Sequence, residues 1–451
     1  MHTVKRTAPA LVTLLLATGC AHYAPAPLSP TPDILAIPVP QAVAARSRQL
    51  ERPFLQPVTI DLAAPLDGNA LAALAVVSNP DLKALRARAG VAEAQAFAAG
   101  LVPDLAVNVG ADFVVGGPPA VTNLVAALGL NLNALRTRSV RLGQAQALAS
   151  QARLDLMWAE WQTAGAARIA AARILALTRS KMLSQSASET AEAMLVKVTG
   201  AVGRGDAPPG QLQGVRLAAL DAAGRYRADE QALVAAKLEL SRLLGIPPDL
   251  QIRVEESPLP SEPALDAHDL FDIAQRERPD LRALRAGYTA QESAVRLAVM
   301  EQFPTLDLTV NGTRDTGNNR LIGPAVAFSL PLWNRNRGTI AIESATREAL
   351  RAEYDARVFR TRSEIATALA GLAVSYPQRA VLLSQIPALR AFADRMATAA
   401  GRGDQSLAAR DEALQSVRDK EMLLVASEQA IAEQSIALEL LTGLPRQRWV
   451  K

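Results

Sequence analysis

The chain has 451 residues, room for two or three ordinary domains or for one elongated assembly, and its 48 Lys and Arg against 44 Asp and Glu leave a net charge of +4. Its apolar residues are mostly alanine and leucine and aromatics make up only 4%, which is the composition of long packed helices rather than of a β-sandwich. No basic cluster is interleaved with aromatics, which argues against nucleic-acid binding. His2, His22 and His268 are too scattered for a metal cage or a catalytic triad.

At the N-terminus Lys5 and Arg6 precede a short apolar run, Ala10 to Ala17, and LLLATGC ends on small residues at Cys20, the only cysteine. Residues 1–19 therefore read as a secretory signal peptide, too short to span a bilayer as a mature helix. The segment resembles a bacterial lipoprotein signal, which implies acylation of Cys20 by a fatty acid such as palmitate. Ala21, where inner-membrane lipoproteins usually carry aspartate, implies delivery to the outer membrane. Ala17 departs from the commonest leucine of that pattern, and plain cleavage with Cys20 incidental is the alternative. Prolines then recur from Pro25 to Pro65, so residues 20–65 are expected to form an extended, Pro-rich tether.

Residues 66–257 make a first structural repeat. Asn79-Pro80-Asp81 opens a helix, with proline at its first position and Leu82, Leu85, Ala89, Ala92 and Ala96 at helical spacing, that should stop near Gly100. PDLAVNVGADFVV follows with strict alternation: Leu105, Val107, Val109, Ala111 and Phe113 against Ala106, Asn108, Gly110 and Asp112. After the Gly116-Gly117-Pro118-Pro119 turn the alternation resumes through Leu124 to Leu132, with Ala127, Gly129, Asn131 and Asn133 opposite. The pair reads as a hairpin whose strands, about ten residues each, have the length that crosses a bilayer when tilted. From Ala134 to about Val198 a proline-free helical pattern extends for roughly 100 Å. GRGDAPPG at Gly203 reverses the chain, and a second helix returns from Gln211 to Leu244 and stops at Gly245-Ile246-Pro247-Pro248.

Residues 258–265 are a linker, and residues 266–451 repeat the design. RPDLRALRAG from Arg278 echoes NPDLKALRARAG from Asn79, QFPTLDLTV from Gln302 answers LVPDLAV from Leu101, GRGDQSL from Gly401 answers GRGDAPPG, and LLTGLPR from Leu440 answers LLGIPP from Leu243. Each pair is about two hundred residues apart, the signature of a tandem duplication. The second half is expected to carry a helix from Pro279 to about Met300, strands at Thr305–Thr313 and Ile322–Leu332, and a last helix from about Leu407 to Leu441. Pro377 and Pro387 are expected to break the region after Gly338 into stacked helices.

Four strands with one oily face cannot close a barrel, and open edges are not tolerated in hydrocarbon. Several copies must then share one barrel, and three would supply twelve strands. The alternative is a helical protein whose hairpins cap a bundle. The order of elements, NPDLKALRA with RPDLRALRA, Phe303-Pro304 at the strand entry, and LLGIPP with LLTGLPR resemble the TolC family of outer-membrane channel proteins over essentially the whole mature chain. The resemblance implies a mainly α protein with a β-hairpin pair: a TolC-like homotrimeric channel, its 12-stranded β-barrel (4 strands per protomer) standing on a long α-helical barrel. It implies an outer-membrane exit duct of a Gram-negative bacterium, its tunnel in the periplasm docked to a periplasmic adaptor (membrane fusion) protein and an inner-membrane transporter of RND type, with outer-membrane lipid around the barrel. SLPLWNRNRGTI, Ser329 to Ile340, resembles the segment found in heavy-metal efflux channels, which implies export of metal cations. A type I secretion duct and a non-channel periplasmic scaffold lipoprotein remain alternatives.

In the TolC family the helix reversals form the periplasmic tip and acidic residues ring the aperture. Carried onto this chain, the gate candidates are Asp404, Asp411 and Glu412, with Asp206 at the matching reversal. Arg410 lies among these acids, and Ala399 and Ala400 stand where the family often has a tyrosine. Gly203, Arg204, Gly205, Gly401, Arg402 and Gly403 are candidates for adaptor contact at the helix tips. If the alternation holds, Asn108, Asp112, Asn131, Asn133, Asp307, Thr309 and Asn311 face the barrel lumen, while Trp333, Arg335 and Arg337 suit the membrane boundary. The sequence holds no phosphate-binding glycine loop ending in Lys-Ser/Thr and no nucleophile beside a base, so no enzyme activity, cofactor or metal site is expected.

Overall fold

The computed structural model describes residues 23–30, 40–48, 52, 54, 55, 58, 60–113, 115–117 and 121–449. The expected signal peptide, Cys20 and part of the first hairpin turn, Pro118 and Pro119, lie outside the described residues. Met1–Ile37 and Pro38–Lys451 are two compact units. In the first, residues 23–30 have no regular secondary structure. The second holds α1 (Pro40–Arg48), α2 (Gly68–Ser78), α3 (Pro80–Gly100), β1 (Ala106–Asp112), β2 (Asn123–Asn131), α4 (Leu132–Gly203), α5 (Gly210–Leu244), α6 (Ala267–Glu277), α7 (Pro279–Met300), β3 (Leu306–Arg314), β4 (Arg320–Phe328), α8 (Arg337–Arg402) and α9 (Leu407–Thr442). No helix among the described residues is long and apolar enough to cross a membrane.

The tether is not extended throughout. Residues 40–48 are the helix α1, and Val43, Phe54, Leu55 and Ile60 are buried in the body. Arg52 is clamped there by Glu160 of α4, which also receives Arg86 at 2.7 Å, and Phe54 packs against Trp161 in a tilted ring pair with centroids 4.7 Å apart.

The helices are arranged in two equivalent sets. The 72-residue α4 is about 108 Å long; it packs against α3 and α7 and against the return helix α5. In the second repeat α8 packs against α7 and against its return helix α9. The signature motifs mark the junctions. Asn79, buried at the N-cap of α3, accepts from Leu82 N–H at 3.1 Å and donates to the Leu243 carbonyl near the end of α5 at 3.0 Å. Its counterpart Arg278 donates to the Leu441 carbonyl at 3.4 Å. Gly245 and Gly443 end the return helices in the left-handed region, φ 62° and 74°. A Cβ on Gly245 would sit 2.5 Å from the Ser78 carbonyl, and one on Gly443 2.8 Å from Arg278 Cα. The two repeats interlock through α4 and α9, where Leu440 presses on Gly165 and Trp161 donates to the Leu440 carbonyl at 3.4 Å.

The expected break of α8 into stacked helices is overturned: residues 337–402 form one helix with Pro377 and Pro387 inside it. Each proline forfeits a bond to the carbonyl four residues earlier. Pro377, Pro387 and the residues that carry those carbonyls, Ala373 and Leu383, are all exposed, so the freed acceptors stand on the side of the helix that water can reach. Meanwhile the opposite face, with Leu372, Leu382 and Ile386, stays buried. Tyr376, beside the first proline, anchors the helix by its hydroxyl, whose single proton is shared between the Pro260 and Ser261 carbonyls, each 2.7 Å away.

Candidate functional site

The two hairpins join into one antiparallel sheet, ordered β1-β2-β3-β4. Because side chains alternate between faces, its register sorts the residues rung by rung. On one face Val107, Leu128, Val310 and Pro324 are aligned, as are Leu130, Leu308 and Val326. On the other face lie Asn108, Ala127, Asn311 and Gly323, then Ala106, Gly129, Thr309 and Ala325, then Asn131, Asp307 and Ala327. Asp112 accepts from its cross-strand neighbour Asn123 at 2.8 Å. Of the expected lumen set, Asn108, Asp112, Asn131, Asp307, Thr309 and Asn311 share this polar face.

Asn133 does not belong with them. The strand ends at Asn131, whose side chain accepts from Ala134 N–H at 2.6 Å and so starts α4; Asn133 sits in the first helical turn, bonded by Arg136 at 2.7 Å. An Asx cap converts period two to period 3.6 within two residues. Asn123 and Thr313 were missed on the polar face, although counting back in twos from Asn131 and on from Asn311 reaches both.

The apolar face is the more open one: Val107, Val109, Ile322 and Val326 are each more than half accessible, whereas Asp307, Thr309 and Asn311 of the polar face are half-buried. The outer edges of β1 and β4 have no strand partner among the described residues. At the helix end of the sheet β4 stops at Phe328, short of the expected Leu332. Trp333 is 87% exposed there, Arg335 and Asn336 have positive φ, and Asn336 donates to the Ala298 carbonyl of α7 at 2.9 Å. Arg337 is the first residue of α8 and reaches back to the Trp333 carbonyl at 3.3 Å. Arg136, a further cation at this level, lies 5.9 Å from the Phe303 ring.

At the opposite ends of the long helices the two GRGD reversals adopt the same geometry. Gly205 and Gly403 take φ 81° and 83°, and the N–H groups of Asp206 and Asp404 bond to the Ala201 and Ala399 carbonyls at 2.8 and 2.9 Å. This is the Schellman closure that satisfies the last helical carbonyls. The four acids then differ. Asp206 is held by Arg204 at 2.8 Å, and Asp411 is gripped by Arg410 at 2.7 Å, whereas Asp404 and Glu412 are exposed and have no ion-pair partner among the described residues. Gly203, Gly401 and Arg402 stand at the same exposed reversals, with open space at both glycines. Further up, Arg418 of α9 donates to Thr190 of α4 at 2.6 Å, and partial burial pulls its pKa down while Asp411, Glu421 and Asp419 push it back up. Arg390 of α8 bonds Glu421 of α9 at 2.7 Å.

A cleft of about 1020 Å³ lies beside the linker between repeats. Its charges pair with one another: Arg168 with Glu439, and Arg179 and Arg379 with Glu428.

Residues 270–444 match the family described as Outer membrane efflux protein. No curated protein matches the chain. Among solved structures, the outer-membrane channel OprN is 18% identical, with 93% of this chain and 99% of that one covered at a TM-score of 0.71. The Campylobacter jejuni CmeC outer membrane channel is 15% identical, with 83% and 85% covered at 0.70. CusC, described by its transmembrane channel formation, is 16% identical, with 84% and 92% covered at 0.68.

Proposed function

We propose, for a chain whose residues 270–444 match the outer membrane efflux protein family and which shares the fold of solved outer-membrane channels over most of its length, that it is the exit duct of a tripartite efflux pump. The observation that carries the reading is the sheet: one exposed apolar face, one polar face and two unpaired edges, standing at one end of helices about 100 Å long. Such a sheet is unstable in hydrocarbon alone, because unpaired strand edges cost several kcal/mol per group there. Three copies joined edge to edge make twelve strands, within the range of spanning barrels, whose smallest have about eight. The apolar face then meets lipid and Asn108, Asp112, Asn131, Asp307, Thr309 and Asn311 line a wet lumen. Trp333, Arg335 and Arg337 fall at the periplasmic headgroup level, and Cys20 carries the acyl anchor.

The GRGD tips dock a periplasmic adaptor coupled to an inner-membrane transporter. Three copies of Asp404 and Glu412 concentrate negative potential at the aperture and favour cations. That preference and the SLPLWNRNRGTI segment support metal cations as cargo. The test is single-channel conductance of the purified full chain in a planar bilayer, with a trivalent cation added on the tip side. Wild type is expected to conduct and be blocked, Asp404→Asn to weaken the block, and Asp411→Asn to weaken it less because Arg410 already offsets that charge. A chain that stays monomeric and never inserts would sink the duct reading.

A further inference from the structure

Arg314, the last residue of β3, and Arg320, the first of β4, are directly opposed across the ladder. The alternation puts both on the face of Leu308, Val310, Ile322 and Val326, which the proposed duct turns to lipid. Like charges directly opposite one another are destabilising. No carboxylate among the described residues pairs with them: Arg314 donates to the neutral Asn318 Oδ1 at 2.8 Å, and Arg320 has no hydrogen-bond or ion-pair partner among the described residues. The carboxylate of the intervening turn, Asp315, is already used by the backbone N–H and the side-chain amide of Asn319, both at 2.8 Å.

The depth of this rung is defined by the strands. It lies eight residues from the Leu306–Phe328 rung where the helices join the sheet, about 26 Å of strand at about 3.3 Å per residue. At a tilt of about 40° that is about 20 Å across the bilayer, so the guanidiniums stand at the far margin of the apolar band. The backbone that carries them is also held in place. The turn is closed by Asp315 N–H to Asn319 O and Asn318 N–H to Asp315 O, both 3.0 Å, and is tied to the first hairpin by Val121 N–H to Thr316 O at 3.2 Å.

We propose that Arg314 and Arg320 together bind the phosphate monoester of a lipid in the leaflet remote from the helical tunnel. A phosphate between the two forks accepts charge-assisted hydrogen bonds from both and turns their repulsion into a clamp between barrel and membrane. The inference rests on the membrane-spanning reading of the sheet.

The test uses the full-length assembly in neutral detergent, with phosphatidic acid and the matching diacylglycerol as probes and native mass spectrometry and the unfolding midpoint as readouts. Wild type is expected to bind phosphatidic acid at least about tenfold more tightly than diacylglycerol, the worth of about 1.4 kcal/mol, and R314Q/R320Q to lose that preference. R320Q alone is expected to raise the midpoint in phosphate-free detergent and to shrink the gain on adding phosphatidic acid. Equal binding of the two lipids by wild type overturns the proposal without need of a variant. A gain with inorganic phosphate equal to that with phosphatidic acid overturns it too, in favour of a simple ion site. A wild-type chain that conducts but ignores the lipid phosphate fails this inference alone, whereas one that never inserts fails the duct reading beneath it.

Discussion

At the scale of single residues, the echoed motifs mark the joints where each return helix abuts the entrance of its own repeat. Gly443 combines a left-handed backbone with a Cβ position 2.8 Å from Arg278 Cα, while Gly403 has the same backbone and open space. Gly403→Ala should cost about 1 kcal/mol, the strain of a left-handed alanine; Gly443→Ala should cost more, by an additional steric term, in chemical denaturation of the same preparation. Asp155 on α4 gives a second prediction. Its surface stays exposed, but partial desolvation by the packed helices beside it, and secondarily the charge of Asp280, push its pKa up. A carboxyl raised in the folded state loses stability as pH rises through its folded value. Asp155→Asn is therefore expected to raise the unfolding midpoint at pH 7, and the difference should vanish in a scan below about pH 4, near the unfolded carboxyl value. Asn79, Gly245 and the GRGD glycines were legible because capping and left-handed turns are local chemistry. The grip of Arg410 on Asp411 was not, since adjacency in sequence does not say which way two side chains turn.

At the scale of elements, strand alternation and the continuity of α4 were read correctly, and the continuity of α8 was not. Period two survives any packing, so Leu308 and Thr309 fell on opposite faces as expected. Leu308→Arg is expected to destabilise the membrane-inserted form by about 2–4 kcal/mol in urea titration from liposomes, and Thr309→Arg to be tolerated there while altering conductance. Prolines carry a less decisive signal. A proline on the exposed side of a helix frees a carbonyl that water can reach, and α8 runs straight through two of them. Pro387→Ala restores the missing bond and removes a residue up to about 3 kcal/mol less favourable than alanine in a helix. It should raise the midpoint and slow amide exchange around Leu383; no change in either would mean that α8 is divided there. The end of β2 was misjudged for a related reason: the Asn131 cap is visible as a residue type, but an asparagine in an alternating run reads equally well as one more polar position.

At the scale of the whole molecule, duplication accounts for both the symmetry and its breaking. The reversals share one backbone geometry, yet Asp206 is clasped by Arg204 while Asp404 has no ion-pair partner among the described residues, so the proposed trimer would present two kinds of tip in alternation around its rim. Mixing copies with and without Asp404→Asn should relax ion block in graded steps, one for each carboxylate lost, in single-channel records. The pairing of β2 with β3 carries a different consequence. It joins Asn131 to Asp307 and Leu124 to Arg314, partners separated by nearly two hundred positions, whereas α4 with α5 and α8 with α9 are hairpins of near neighbours. Closing so long a loop is entropically expensive and slow, so the helical hairpins have time to form in water before the oily sheet is stitched together. The topology thereby separates two kinds of step: the helical and strand hairpins close locally, and the β2–β3 seam that merges the two oily hairpins into one sheet is the long-range step expected last.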